Sequence, residues 1–298
     1  MFETDILTET FGFDASTRRV VELDELHQGC PARDCIASID APKFVPAERA
    51  GFMRDEDIVL ALEHGGQAKA YATRILVFHE IVNDEVGGKP LAITFCPLCG
   101  SGVAVVREIG GEVTEFGVSG VLYNSGLVFY DRASETLWDQ IEARGIVGPH
   151  TGKKLTMIPL TTTTWQRWRD AYPGTLVLTP DTGFDRSYNE YPGRNREYED
   201  SERIAFPVAA TDNRLYPKAV VHGVDVHGQF VAYTDKLLEA AGSYRDRVGE
   251  RDIVVTKNPD GSVSATDPDS GEVFVAIRLF WFAWYAFHPD TELRTEPL

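Results

Sequence analysis

The chain predicts an α+β fold rich in strands: a mixed fold with β-hairpins, a barrel-like sheet and a few helices. Three observations predict it. Short apolar or alternating runs, broken by glycine-bearing turn signals, fill residues 90–131 and 219–267. Only a few segments combine helical apolar spacing with a capping residue at their start. No internal repeat and no shift in composition marks a linker, so residues 38–298 read as a single metal-binding α+β domain behind an irregular segment, 1–37.

Each element follows from local chemistry. "TRILVFHEIVND", from Thr73, predicts a helix: Thr73 can cap it, and Ile75, Leu76, Phe78, Ile81 and Val82 recur near helical spacing. "PLAITF" is a short strand running into Cys96. "VAVVRE" and "VTEFGV" flank "IGGE", and "GVLYN" and "LVFYD" flank a Ser-Gly pair, which predicts two hairpins. "TTTTWQRWRDAYPG" predicts a Thr-capped helix stopped by Pro-Gly, followed by the strand "TLVLT". Residues 183–218, rich in Arg, Asn, Asp, Tyr and Pro, read as ordered loops. "AVVHGVDVHGQFVAYT" is strand-turn-strand, "DKLLEAAG" a short helix, and "IVVTKNPDGSVSATD" a hairpin turning at Asp260-Gly261.

The bulk numbers exclude several classes of function. A net charge of -17 opposes binding to nucleic acid, which needs clustered Lys and Arg, and to an anionic membrane surface. The longest apolar tract, "VFVAIRLFWFAWYAF", carries Arg278 and is too short to span a bilayer, so it reads as a buried segment. The stretch "MFETDILTETFGFD" lacks the basic and apolar regions of a signal peptide, and a cytoplasmic location is expected. Four cysteines without an export signal suggest thiols or metal ligands rather than a disulfide framework.

The stretch "ITFCPLCGSG" concentrates the chemistry, and it admits three readings. Cys96 and Cys99 have the spacing of a redox dithiol, but such motifs open a helix, whereas β-branched hairpin sequence follows here. C-P-x-C-G is also a metal knuckle, in which amides point at the first sulfur, and Cys30 and Cys35 of "GCPARDC" could complete a structural four-cysteine zinc site. The favoured reading is an open mononuclear metal site of Cys96, Cys99 and His79, with one position left for water, oxygen or substrate. On the predicted helix Asn83 shares the face of His79 and could orient it, while Glu80 is the nearest general base. Other fragments miss in register. Zinc deaminases need H-x-E and P-C-x-x-C, "GPHTGKK" is no phosphate loop, and "DTG" at Asp181 reads as a turn. His222 and His227 fall on opposite faces of a predicted hairpin and read as surface residues.

The strings "ILVFHEIVND", "LAITFCPLCGSGVAV", "FGVSGVLYNSGLVFYDR", "LWDQ", "GPHTGKKL", "TTWQRWRDAYPGTLVL" and "FWFAWYAFHPDT" together resemble a prokaryotic domain-of-unknown-function family, number 3179, from about residue 38 to residue 291. The resemblance implies no agreed fold or reaction; its polar, glycine-rich motifs have the character of a site rather than of packing. One departure stands out: at "GCPARDC" the family pattern carries glycines and no cysteine pair, which puts the four-cysteine reading in doubt. Cys30 and Cys35 are then extra ligands, a redox partner pair or bystanders, and many relatives look exported where this chain does not.

The expectation is therefore a metal-dependent oxidoreductase, with copper favoured because two thiolates suit Cu(I), acting on a small molecule that bears a thiol or carboxylate. No organic cofactor is expected. Candidate pocket residues are Ser119, Tyr123, Asn124, Tyr130, Asp131, Arg132, Trp138 and Gln140, with Arg132 suited to a carboxylate. Zinc at the same ligands would instead activate water, with Glu80 as base, and a non-enzymatic copper or thiol-redox carrier is the alternative from another class.

Overall fold

Antiparallel pairing dominates the computed structural model, which describes residues 5–296. Met1–Thr4 of the acidic N-terminal stretch, together with Pro297 and Leu298, lie outside the described residues. The sheet that carries the cysteines has four strands in the order Met157–Ile158, Ser101–Val106, Lys89–Cys96, Ile81–Val86. A second, five-stranded sheet runs Leu26–Gln28, Phe116–Tyr123, Gly126–Asp131, Leu137–Asp139, Arg144–Val147. Three more sheets are built on Ile58–His64, Val220–Val226 and Arg251–Lys257. The fold is α+β and strand-rich, and among the described residues its sheets stay open, so the expected barrel-like closure is replaced by several separate sheets.

The first two sheets meet in one core. Val103 and Val105 pack with Phe116, Val118, Leu127 and Phe129, and the aromatic helix Trp281–Phe287 closes the same cluster. Most of the tract 273–287 is thus buried as expected, folded as the short strand Val273–Phe274, the strand Ala276–Phe280 and that helix, while Val273 itself is exposed. The Thr-capped helix is Trp165–Ala171, with Thr164 accepting from the Arg167 amide, and the four threonines before it form an edge strand.

Two expectations fail in instructive ways. The helix from Thr73 stops at Leu76, and Ile81–Val86 is a strand paired with Lys89–Cys96. Apolar residues at 81, 82 and 86 fit either period in isolation; pairing decides, with Ile81 opposite Thr94 and the Phe95 amide donating to the Glu80 carbonyl at 2.7 Å. Residues 183–218 are also more regular than expected, since Gly193–Glu199 is a helix.

Of the segment 1–37, the described residues 5–37 are short of regular structure but firmly attached. Leu26–Gln28 extends the second sheet, and beyond it the amides of Gly29 and Asp34 donate to the carbonyls of Gly120 and Val118 at 2.9 and 2.8 Å. Cys30 and Cys35, expected as spare thiols or ligands, are joined in a disulfide across a Cα–Cα distance of 6.3 Å. As a disulfide they have no thiolates to give, which removes the four-cysteine zinc set in this state.

Candidate active site

Cys96 ends one strand and Ser101 opposite it begins the next, so residues 97–100 form a tight knuckle between paired strands. Gly100 makes the knuckle possible. Its φ is +61°, and a Cβ there would sit 2.7 Å from the Phe280 ring. The turn folds the chain back so that the Cys99 amide donates to Cys96 Sγ at 3.4 Å, and the Cys99 thiol lies 3.5 Å from the Ser125 carbonyl. Both thiols are free and buried.

The electrostatics of the two sulfurs differ because more donors reach Cys96 than Cys99, which has the Leu127 amide alone. Burial pushes the Cys96 thiol up, yet the Cys99 thiol and the amides of Cys99, Leu127 and Leu98 outweigh it and hold Cys96 below the ordinary thiol range. Cys99 is pushed well above that range, first because its proton is shared with Cys96, then by burial and by the charges of Cys96 and Glu80. Of the two sulfurs, Cys96 is the more readily ionised.

Glu80 stands beside them at the turn between the short helix and the strand Ile81–Val86, with φ +58°. Its carboxyl is pushed up to about 8, mainly by burial and secondarily by the Cys96 charge. Glu80 and Cys96 line one cavity of about 210 Å³, with Val77, Leu98, Val118 and Leu127 as apolar wall. Arg194 and Asn195 of the helix Gly193–Glu199 close it from the other side, and Asn195 Oδ1 is buried with no partner. Cys30 of the disulfide lines the same cavity. Tyr198 donates to the Leu98 carbonyl at 3.2 Å, and its phenol is pushed up by burial and by the charges of Cys99 and Cys96. Nothing in the local pattern around residues 190–199 marked it for this place, since the contact spans a hundred positions.

His79 does not complete this group. Its Nδ1 is 2.7 Å from the Ala37 carbonyl, which can only accept, so Nδ1 carries the proton; Nε2 then accepts from the Tyr188 hydroxyl. Both ring nitrogens are used, and no lone pair is left for a metal. Asn83, now on a strand, brackets the neighbouring sheet: its amide donates to the Phe116 carbonyl and to Asp40, and its oxygen accepts from the Phe116 amide. Among the described residues no three His, Cys, Asp or Glu side chains gather as a metal-binding group.

The eight expected pocket residues brace the fold around the cavity instead of lining it. Ser119 donates to the Val128 carbonyl, and Tyr123 packs on Phe287 with ring centroids 5.5 Å apart. Asn124 accepts from the Ala209 amide at 2.8 Å and donates to the Ala286 carbonyl. Tyr130 donates to Asp34 at 2.6 Å, and Asp131 accepts from Ser134 and from the indole of Trp138. Arg132 holds Asp40 and Glu115, each at 2.7 Å, so its fork is committed within the chain. Gln140 accepts from Ser101 at 2.6 Å and donates to Thr94, which fixes the strands leaving the knuckle from behind. His222 is likewise no surface residue: it is buried under the helix Asp235–Ala241, 2.8 Å from Asp235 Oδ1, while His227 is exposed.

The family described as "Protein of unknown function (DUF3179)" matches residues 33–272. The chain belongs to that family. No curated protein and no solved structure matches it. The DUF3179 match takes in Glu80, Cys96, Cys99 and the helix with Arg194 and Asn195, and it begins after Cys30, at the place where the disulfide enters the cavity wall.

Proposed function

We propose that this DUF3179 protein is a dithiol oxidoreductase for a small disulfide or comparably oxidised sulfur compound, with Cys96 as attacking thiolate and Cys99 as resolving thiol. The observation that carries the reading is the uneven supply of donors: three amides and one thiol support Cys96 against one amide at Cys99, and Cys96 fronts a cavity beside a carboxyl able to exchange protons near neutral pH. Helix-borne dithiols use a helix N-terminus for this purpose; here the turn amides supply the same electrostatic support.

The steps balance without a metal. Cys96 Sγ⁻ attacks one sulfur of the substrate disulfide, forming a mixed disulfide and releasing one thiolate. Cys99, losing its proton, attacks Cys96 Sγ; the Cys96–Cys99 disulfide forms and the second thiolate leaves with a proton. Two electrons have passed to the substrate. Glu80 is placed to carry the proton that Cys99 gives up.

Copper is the second reading, and the knuckle itself favours it: two adjacent sulfurs under amide donors suit Cu(I), with a further position open to the cavity. Zinc hydrolysis is less well supported, because neither His79 nor the disulfide-bonded cysteines have a donor free to fill zinc's coordination shell. The decisive experiment is anaerobic purification with elemental analysis, followed by one equivalent of hydroxyethyl disulfide. Metal-free protein that reduces it stoichiometrically, forms a Cys96–Cys99 disulfide and loses the activity on Cys96→Ser meets the proposal. About one copper per chain, lost in both Cys96→Ser and Cys99→Ser, would replace it with the second reading.

A further inference from the structure

The cavity touches two cysteine pairs in opposite redox states. Cys96 and Cys99 are thiols, while Cys30, which lines the same cavity as Cys96, is half of a disulfide. The outer pair is also asymmetric in exposure: Cys30 is half-buried and faces the cavity, whereas Cys35 is exposed. A disulfide with one sulfur toward solvent and the other toward a buried dithiol has the layout of a relay.

We propose that Cys30–Cys35 recharges the Cys96–Cys99 pair with electrons from an external thiol, which need never enter the cavity. The inference rests on the dithiol reading above. After turnover the inner pair is a disulfide. A thiol reductant attacks Cys35 at the surface, forms a mixed disulfide there and frees Cys30 as a thiolate; a second reductant thiol removes the first as its disulfide and leaves Cys35 as a thiol. The Cys30 thiolate then attacks Cys96 Sγ, a Cys30–Cys96 bond forms, and Cys99 leaves and takes up a proton. Cys35, deprotonated, attacks Cys30, the Cys30–Cys35 bond is restored and Cys96 leaves as a thiolate. Two electrons and one proton have moved from the reductant to the inner pair, and the second proton is released to solvent. In the last step Cys96 leaves readily because the Cys99 amide supports its anion, and the end state is the arrangement seen here.

The backbone around the outer pair supports exchange in place. The Gly29 and Asp34 amides flank the disulfide and are tied to Gly120 and Val118, and the Gln28 side chain donates to the Cys30 carbonyl at 2.8 Å. The loop is therefore anchored to the strand Phe116–Tyr123, whose Val118, Gly120 and Leu122 line the cavity between the two pairs.

The test uses the full chain. In Cys35→Ser/Cys99→Ser the two exchange steps have no resolving thiol, and a Cys30–Cys96 cross-link is expected in non-reducing peptide maps, absent from Cys30→Ser/Cys99→Ser. As a second measurement, protein oxidised at both pairs with hydroxyethyl disulfide is re-reduced with glutathione. Recovery of the Cys96 thiol is expected to slow at least tenfold in Cys30→Ser/Cys35→Ser. No cross-link and equal recovery rates, with Cys96 still cycling through its disulfide with Cys99, would overturn the relay and leave the dithiol reading intact. A Cys96 that never forms that disulfide would overturn both.

Discussion

Glu80 and Cys96 face one cavity: the charge of Cys96 raises the energetic cost of ionising Glu80, and the charge of Glu80 raises that of ionising Cys99. The Glu80 carboxyl is pushed up to about 8, while the Cys96 thiol is held below its ordinary range by the surrounding amides, so the two shifts run in opposite directions.

This relationship predicts a pH-dependent nucleophile. As pH rises through about 8, Glu80 loses its proton and its charge joins that of Cys96. In Glu80→Gln the cavity keeps a neutral group at every pH. Iodoacetamide alkylation of Cys96 should then follow a single ionisation, where the native protein shows a second inflection near 8. Identical profiles would place Glu80 outside the reaction.

Stability should fall with pH for a separate reason. Asp139 is buried, its Oδ2 has no partner, and burial followed by the charge of Glu142 pushes its carboxyl up to about 8. The folded state therefore holds a proton that the unfolded chain releases near its ordinary 3.8, and stability drops as pH rises between those values. Asp139→Asn removes the drop: its Tm should match the native protein at pH 4 and exceed it at pH 8, each 1 kcal/mol amounting to roughly 2–4 °C in a chain of this order of size. An unchanged difference across that range would count against the assignment.

The knuckle is expected to tolerate no side chain at residue 100. Gly100→Ala adds a Cβ 2.7 Å from Phe280 at φ +61°, and a cost of about 1–3 kcal/mol follows from overpacking alone. Urea denaturation gives the loss. Cys96 should also alkylate more slowly at neutral pH, because the displaced turn no longer aims its amides at the sulfur.

Away from the site, Lys69 and Asp84 are buried partners at 2.9 Å, and Tyr71 donates to the same carboxylate at 2.6 Å. Asp84→Ala strands the ammonium and should cost about 3–5 kcal/mol, whereas Lys69→Met/Asp84→Leu should recover much of it. Equal losses in the single and double variants would show that packing, not the unpaired charge, sets the cost.

The strands, their hairpins and the knuckle were legible because their signals are local: "CPLCG" specifies its own turn, and alternation specifies its own faces. The helix from Thr73 was misread because Ile81, Val82 and Val86 are ambiguous until Lys89–Cys96 is there to pair with them. That one error carried His79 and Asn83 into the site on the wrong element. Glu80 stands near Cys96 on either element, since its carbonyl accepts from the Phe95 amide next to Cys96. Arg132, Trp138 and Gln140 were misplaced for another reason: a polar motif looks the same whether it binds a ligand or a neighbouring strand. The Cys30 contribution and the helix Gly193–Glu199 depend on long-range closure that no spacing reveals.

The anchoring of the loop 30–35 has a kinetic corollary. The amides that bracket the disulfide are bonded to the strand beside it and not to each other, so cleaving the S–S bond leaves both ends of the loop docked. While Cys35 is held in a mixed disulfide the Cys30 thiolate remains its neighbour at high effective concentration, and reclosure, which expels the partner thiol, competes as a unimolecular event against attack by a second thiol from solution. Such a bond opens readily to a partner that arrives and shuts when it departs, which lets the outer pair cycle many times without any part of the surrounding sheet having to refold.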